Sequence, residues 1–279
     1  MKITAVDIYD VAMGFGWNPI LLRVLTDEGI EGVGEVSLAY GAGSLAAVGM
    51  LRQLAERYLL GADPMRIEDM WNRLFRGTFW GQGGGPVLYG AMSGIDAALW
   101  DIKGKAYGVP VYELMGGKVN DKLRVYANGW YVTMTSRERR TCDAPEEYAQ
   151  EALRVVGDGF TALKFDPFMC LDGSSSRLPD RVLPKHVADL AYARVAAVRE
   201  AVGPDIDILI EVHGNLGTTA AIEMGRRFED LKPYFYEEPV DAMNVLDGTQ
   251  SNRTHAPPTP SESISETVAP YCAATKAAS

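Results

Sequence analysis

A chain of 279 residues, 47% hydrophobic and 23% charged, has the balance of a folded protein with a sizeable apolar core. Its net charge of −10 argues against nucleic acid or an anionic membrane surface as a partner. Three cysteines (Cys142, Cys170 and Cys272) without metal-finger spacing, no apolar leader in "MKITAVDIYD" and no membrane-length apolar run together fit a reduced, cytoplasmic protein.

In chain order, "ITAVDIYDV" alternates apolar and polar residues, the pattern of a half-buried strand. "ILLRVLTDEGIEGVGEVS" reads as two more strands joined by a hairpin turn at Asp27-Glu28-Gly29. Helical spacing follows over Ala46–Leu60, Ile67–Phe75 and Gly90–Gly108, the last ending on a glycine of the C-cap type. Strands first and helices afterwards predict an α+β unit over residues 1–122. The glycine-rich "GQGGGP" runs from helix to helix, so it is expected to be a flexible loop and not a phosphate cradle.

From Leu123 onward the pattern changes. "LRVYANGW", "FTALKFDPF", "DILIEVHGN" and "YFYEEPV" are strand candidates, separated by helical stretches at Pro145–Val156, His186–Val202 and Thr218–Leu231. Such alternation predicts parallel βαβ units over residues 123–245, in an open sheet or a barrel, with functional groups at the carboxyl ends of the strands. "FMCLDGSSSRLPDRVLPK" is long for a connection and is expected to be a lid or an insertion. Residues 246–279 are rich in Ser, Thr, Pro and Ala and predict an irregular tail. A barrel begun at Leu123 and stopped near Val245 has about half of its strands, and its exposed edge is expected to favour self-association or aggregation.

The strand ends carry the candidate chemistry. "LKFD" places Lys164 and Asp166 on one face of a strand, and "IEVH" does the same for Glu211 and His213. "YEEP" offers Glu237 and Glu238; Glu237 lies 26 residues after Glu211, about one strand–helix–strand repeat, so those two carboxylates are expected side by side. Adjacent unpaired carboxylates repel, and a divalent cation relieves that; all-oxygen ligation favours Mg2+. Lys164 and His213 are then the candidate proton carriers. Taken singly each has a plainer reading: a solvated acid, a loop-capping histidine, a lysine paired with Asp166 or Glu211. Their coincidence at consecutive strand ends is what favours a site.

"SGIDAALWDIKGKAYGVPVYELMGGKVNDKLRVYANG" (Ser93–Gly129) strongly resembles the junction between capping domain and barrel in the mandelate racemase/muconate lactonising enzyme branch of the enolase superfamily. "LIEVHGN" and "YFYEEPV" resemble that family's first two metal-ligand strands, over a match spanning roughly residues 1–245. The resemblance implies an α/β protein of enolase-superfamily type, an N-terminal α+β capping domain followed by an incomplete (β/α)8 barrel. It implies Glu211 and Glu237 as Mg2+ ligands, Lys164 at the second-strand lysine position, and abstraction of the proton next to a substrate carboxylate. "GFGWN" (Gly14–Asn18) would be a specificity loop, with Trp17 and Asn18 touching substrate beside Asp166.

An acid-x-His pair on the third strand resembles the family's acid-sugar dehydratases, in which the histidine protonates a departing β-hydroxyl; that makes His213 the general acid. Asp166 departs from the Lys-x-Lys pattern of racemase-like members and favours dehydration of an aldonate such as galactonate or gluconate over racemisation or epimerisation with Lys164 as base. A third acid is expected about one repeat after Glu237, and Glu262 in "PPTPSESIS" is the candidate, although serine stands where the family has glycine. The later strands, with the family's opposing Asp/His base, are absent. A truncated or frameshifted member, limited to a metal-binding or structural role, is therefore the alternative expectation.

Overall fold

The computed structural model describes residues 1–12, 18–36, 38, 42–79, 81–134, 139–169, 183–242 and 244. The chain divides into two units, the first running from Met1 to Asp121 and the second beginning at Lys122.

In the first unit, alternation produces β1 (Ile3–Asp10), β2 (Ile20–Thr26) and β3 (Glu31–Val36), an antiparallel sheet in the order β1-β2-β3. Leu22 and Val24 face inward and are buried, while the neighbouring Leu21 and Arg23 face outward. Gly29 closes the β2–β3 hairpin at φ 76°, a conformation glycine adopts without a Cβ clash. Helix α1 (Ser44–Leu54) ends in a single π turn over Ala55–Leu59, and α2 (Ile67–Gly77) follows. The glycine-rich stretch, expected to be a loop, forms a 3-10 turn at Gly81–Gly83. Helix α3 (Pro86–Tyr107) starts four residues before the expected Gly90, because Pro86 takes a first-turn position where its missing N–H costs nothing. It ends at Gly108, φ 68°, and the short α4 (Val111–Leu114) completes the unit.

The second unit is built around parallel strands. A two-stranded antiparallel ribbon, β4 (Val132–Met134) and β5 (Arg139–Thr141), was not expected from the sequence; strands of three residues are too short to show an alternation. Then come α5 (Pro145–Gly157), β6 (Ala162–Phe165), α6 (Lys185–Val202), β7 (Asp207–Glu211), α7 (Thr218–Phe228) with a 3-10 turn at Glu229–Leu231, and β8 (Phe235–Glu237). The sheet runs β6-β7-β8, all parallel. "LRVYANGW" was expected to be a full strand, but joins this sheet through one parallel bridge, Ala127 to Leu163.

One face of the sheet presents Leu163, Phe165, Ile208, Ile210 and Tyr236 to the helices, where Tyr148, Val195, Met224 and Phe228 pack against them. Full burial of each large side chain contributes about 1.5–3 kcal/mol, so this face fixes the register. The alternate residues, displaced by one position, are thereby forced to the opposite face, and that face carries the charged groups. Among the described residues no helix is long and apolar enough to cross a membrane.

Candidate active site

The parallel register aligns Glu211 with Glu237, and Leu209 with both Lys164 and Phe235. Continued by one pleat, it brings Asp166 level with Glu211. Acids therefore stand at the carboxyl ends of three neighbouring strands, with Lys164 one layer below and reaching up.

Lys164 Nζ donates to Glu211 Oε2 at 2.9 Å and to Glu237 Oε2 at 3.0 Å. The side chains of Lys164 and Glu211 are 9% and 8% exposed, whereas Glu237 is 32% exposed. Burial alone pulls the Lys164 ammonium down, but its two carboxylate partners outweigh that and hold it above its ordinary value. It is a firmly held cation, and the ring of Tyr126 lies 5.3 Å from Nζ. Glu237 is shifted the other way: burial raises its carboxyl, and Lys164 offsets only part of this. The remaining oxygen of Glu211 accepts the backbone N–H groups of Val212 and His213, both at 3.1 Å, so this carboxylate is held through both of its oxygens.

His213 turns back over the strand ends. Its Nδ1 lies 3.0 Å from Asp166 Oδ2, and its backbone is left-handed at φ 57°. Glu238, just after Glu237, is also left-handed at φ 44°. The two residues sit on facing strand ends tied together by Val212 N–H to Glu237 O and Gly214 N–H to Glu238 O. Non-glycine residues in this region carry strain of about 1–3 kcal/mol each, a cost that clusters at functional sites. Asp166 is buried; burial raises its carboxyl, and the hydrogen bonds from His213 and from Phe168 N–H (2.8 Å) counter the rise.

Lys164, Asp166, Glu211, His213 and Glu237 thus converge. Asp166, expected to touch substrate, engages His213. Asn18 belongs to the first unit, while Trp17 and Glu262 lie outside the described residues, as do the expected tail at 246–279 and the lid segment at 170–182. Sequence reading missed Arg194, whose buried side chain bonds the backbone just beyond Asp166. The signal was an arginine at helical spacing among Val187, Ala191 and Val198, the buried face of α6.

Two family models match the chain, one for the mandelate racemase/muconate lactonizing enzyme N-terminal domain over residues 17–116 and one for the enolase C-terminal domain-like fold over residues 147–263. The chain belongs to the mandelate racemase/muconate lactonizing enzyme family. Its fold is that family's N-terminal capping domain with part of the C-terminal barrel domain. The C-terminal match passes residue 245 and includes position 262.

A D-gluconate dehydratase of Thermoproteus tenax is 41% identical over 241 residues, which is 86% of this chain and 44% of that protein. A D-galactonate dehydratase of Variovorax paradoxus is 38% identical over 240 residues, 86% of this chain and 56% of its own length. The crystal structure of an enolase superfamily member from Salmonella Typhimurium superposes with a TM-score of 0.82 at 45% identity, over 90% of this chain and 64% of that one. The chain therefore spans about half the length of the curated relatives it matches.

For the metal this family implies, the donors are suited in kind: two carboxylates already converge on one cation, the ammonium of Lys164. Among the described residues they are not joined by enough partners to make a group of three His, Cys, Asp or Glu side chains placed to hold a metal ion.

Proposed function

We propose that these residues belong to a Mg2+-dependent dehydratase site acting on an aldonate, of which gluconate and galactonate are the first candidates. The observation that supports this most is the placing of His213, held by Asp166 beside two convergent carboxylates. Glu211 and Glu237 would hold the metal, with Glu262 the candidate for a third ligand. A bound Mg2+ would offset the negative charge that develops on the substrate carboxylate as its α-proton leaves.

The chain's own groups have distinct tasks in this reading. His213, its Nδ1 bonded to Asp166, delivers the proton at Nε2 to the departing β-hydroxyl, which leaves as water. A base outside the described residues would take the α-proton; the electron pair of the broken α C–H bond would form the new C=C bond as the C–OH bond breaks, and the resulting enol would become a 2-keto-3-deoxy acid. Lys164 contributes positive charge near the substrate carboxylate; to serve as a base it would have to leave two glutamates and lose its proton.

A second reading is favoured by the acid set: among the described residues no group of three His, Cys, Asp or Glu side chains is placed to hold a metal ion, so the chain would at most bind a cation, without turnover. Incubating the chain with D-gluconate or D-galactonate and Mg2+, with products followed by NMR, separates these. Dehydration is expected to give a 2-keto-3-deoxy acid, lost by at least about 100-fold in His213→Asn with metal binding retained, in line with the usual contribution of a general acid. An inverted stereocentre without loss of water would establish racemisation or epimerisation instead. Metal binding without any product would leave the second reading.

A further inference from the structure

We propose that Arg194 and Tyr148 are positioning residues that fix Asp166 and, through it, the imidazole of His213; this rests on His213 being the proton donor. Arg194 lies midway along α6 and its side chain is fully buried. Its Nε donates to Asp143 O at 2.8 Å, and its Nη1 to Pro167 O at 2.7 Å and Met169 O at 2.9 Å, while Nη2 pairs with the Asp143 carboxylate. The guanidinium lies 5.2 Å from the ring of Tyr148, on α5. The Tyr148 hydroxyl in turn donates to the backbone carbonyl of Asp166 at 3.3 Å.

Stability alone is a poor reason for such a group. A buried guanidinium loses its hydration, and an apolar side chain of similar volume often serves a core as well or better. The acceptors suggest another purpose, because they bracket Asp166. Its own carbonyl is held by Tyr148, the carbonyl of the next residue by Arg194, and Asp166 Oδ1 by Phe168 N–H at 2.8 Å. With those three atoms tied, the carboxylate has one orientation, and Oδ2 meets His213 Nδ1 at 3.0 Å. An imidazole that donates Nδ1–H to Asp166 presents its other nitrogen, Nε2, for proton transfer, which is the role of a base-orienting partner. The planar fork of arginine suits three carbonyls on two separate segments; lysine has no such fork.

The test is the ring nitrogen spectrum of His213 in the full chain, by long-range 1H–15N correlation in wild type, Arg194→Met, Tyr148→Phe and Asp166→Asn. Wild type is expected to show His213 with Nδ1 protonated, both in the neutral ring and in the imidazolium that gives up the Nε2 proton. Tyr148→Phe and Arg194→Met are each expected to lose that signature to an average of tautomers, with far-ultraviolet circular dichroism unchanged. Arg194→Lys is expected to fail to restore it. Should Arg194→Met not fold, Tyr148→Phe decides, since it deletes one oxygen and no packing. A signature kept in Tyr148→Phe and in Arg194→Met but lost in Asp166→Asn would overturn the positioning role and leave the Asp166–His213 pair intact. A signature unaffected by Asp166→Asn would overturn the pair itself.

Discussion

Lys164→Met is expected to destabilise the second unit by about 3 kcal/mol without metal, at the lower end of the cost of stripping one partner from a buried ion pair. The change leaves Glu211 and Glu237 facing one another with no cation between them, and Glu211 is almost wholly shielded from water. Glu237, about a third exposed, keeps some hydration, which is why the lower end applies. Mg2+ is expected to restore much of the loss, because an ion that binds only the folded form stabilises it by mass action. Urea denaturation of wild type and variant, each with and without Mg2+, reads both effects. Equal midpoints without metal, or an identical Mg2+ response in the two proteins, would show that the carboxylates do not depend on a shared cation.

Gly34→Ala is expected to destabilise the first unit by about 3 kcal/mol or more, the upper range for forcing extra volume into a packed interior. A Cβ at Gly34 would lie 2.0 Å from the carbonyl oxygen of Gly94, in α3, and 3.2 Å from Leu22 Cδ2. Neighbouring glycines make the same demand: a Cβ at Gly32 would lie 2.1 Å from Ala98 O. The strand therefore rests against the helix backbone itself, and a carbonyl inside a helix cannot step aside as a side chain can. Gly49→Ala, on the exposed side of α1 with nothing within 4 Å, is the control and is expected to stabilise by about 1 kcal/mol through helix propensity. Thermal melts of the two variants should move in opposite directions. A neutral Gly34→Ala would mean that β3 and α3 are not in backbone contact.

These two cases show where a linear reading succeeds and where it stops. "EGVGEV" announces a strand through alternation, and β3 is there. Why its alternate positions must be glycine is invisible until α3 is laid across them, because the demand comes from a backbone some sixty residues away. At the site, the two-residue period placed Lys164 with Asp166 and Glu211 with His213, and the repeat length brought Glu237 beside Glu211. Those are consequences of register, which sequence encodes well. The partner of each group is a different matter. Lys164 stands between the acids, and Asp166 faces His213 and not open space, because side-chain length and left-handed turns at strand ends set those contacts. Arg194 escaped notice for a related reason: spacing marks it as buried, but only the fold supplies the carbonyls that justify a charge there.

The most direct measurement of the proposed site is divalent-cation binding to the purified chain, by calorimetry with Mg2+ and by electron paramagnetic resonance with Mn2+ as its visible substitute. One saturable site per chain is expected, weakened by at least about tenfold in Glu211→Gln and again in Glu237→Gln, since even outer-shell partners contribute that much to metal affinity. Saturable binding that survives both substitutions unchanged would place the metal elsewhere. The absence of any saturable site would contradict a role for the two convergent glutamates as metal ligands in this chain.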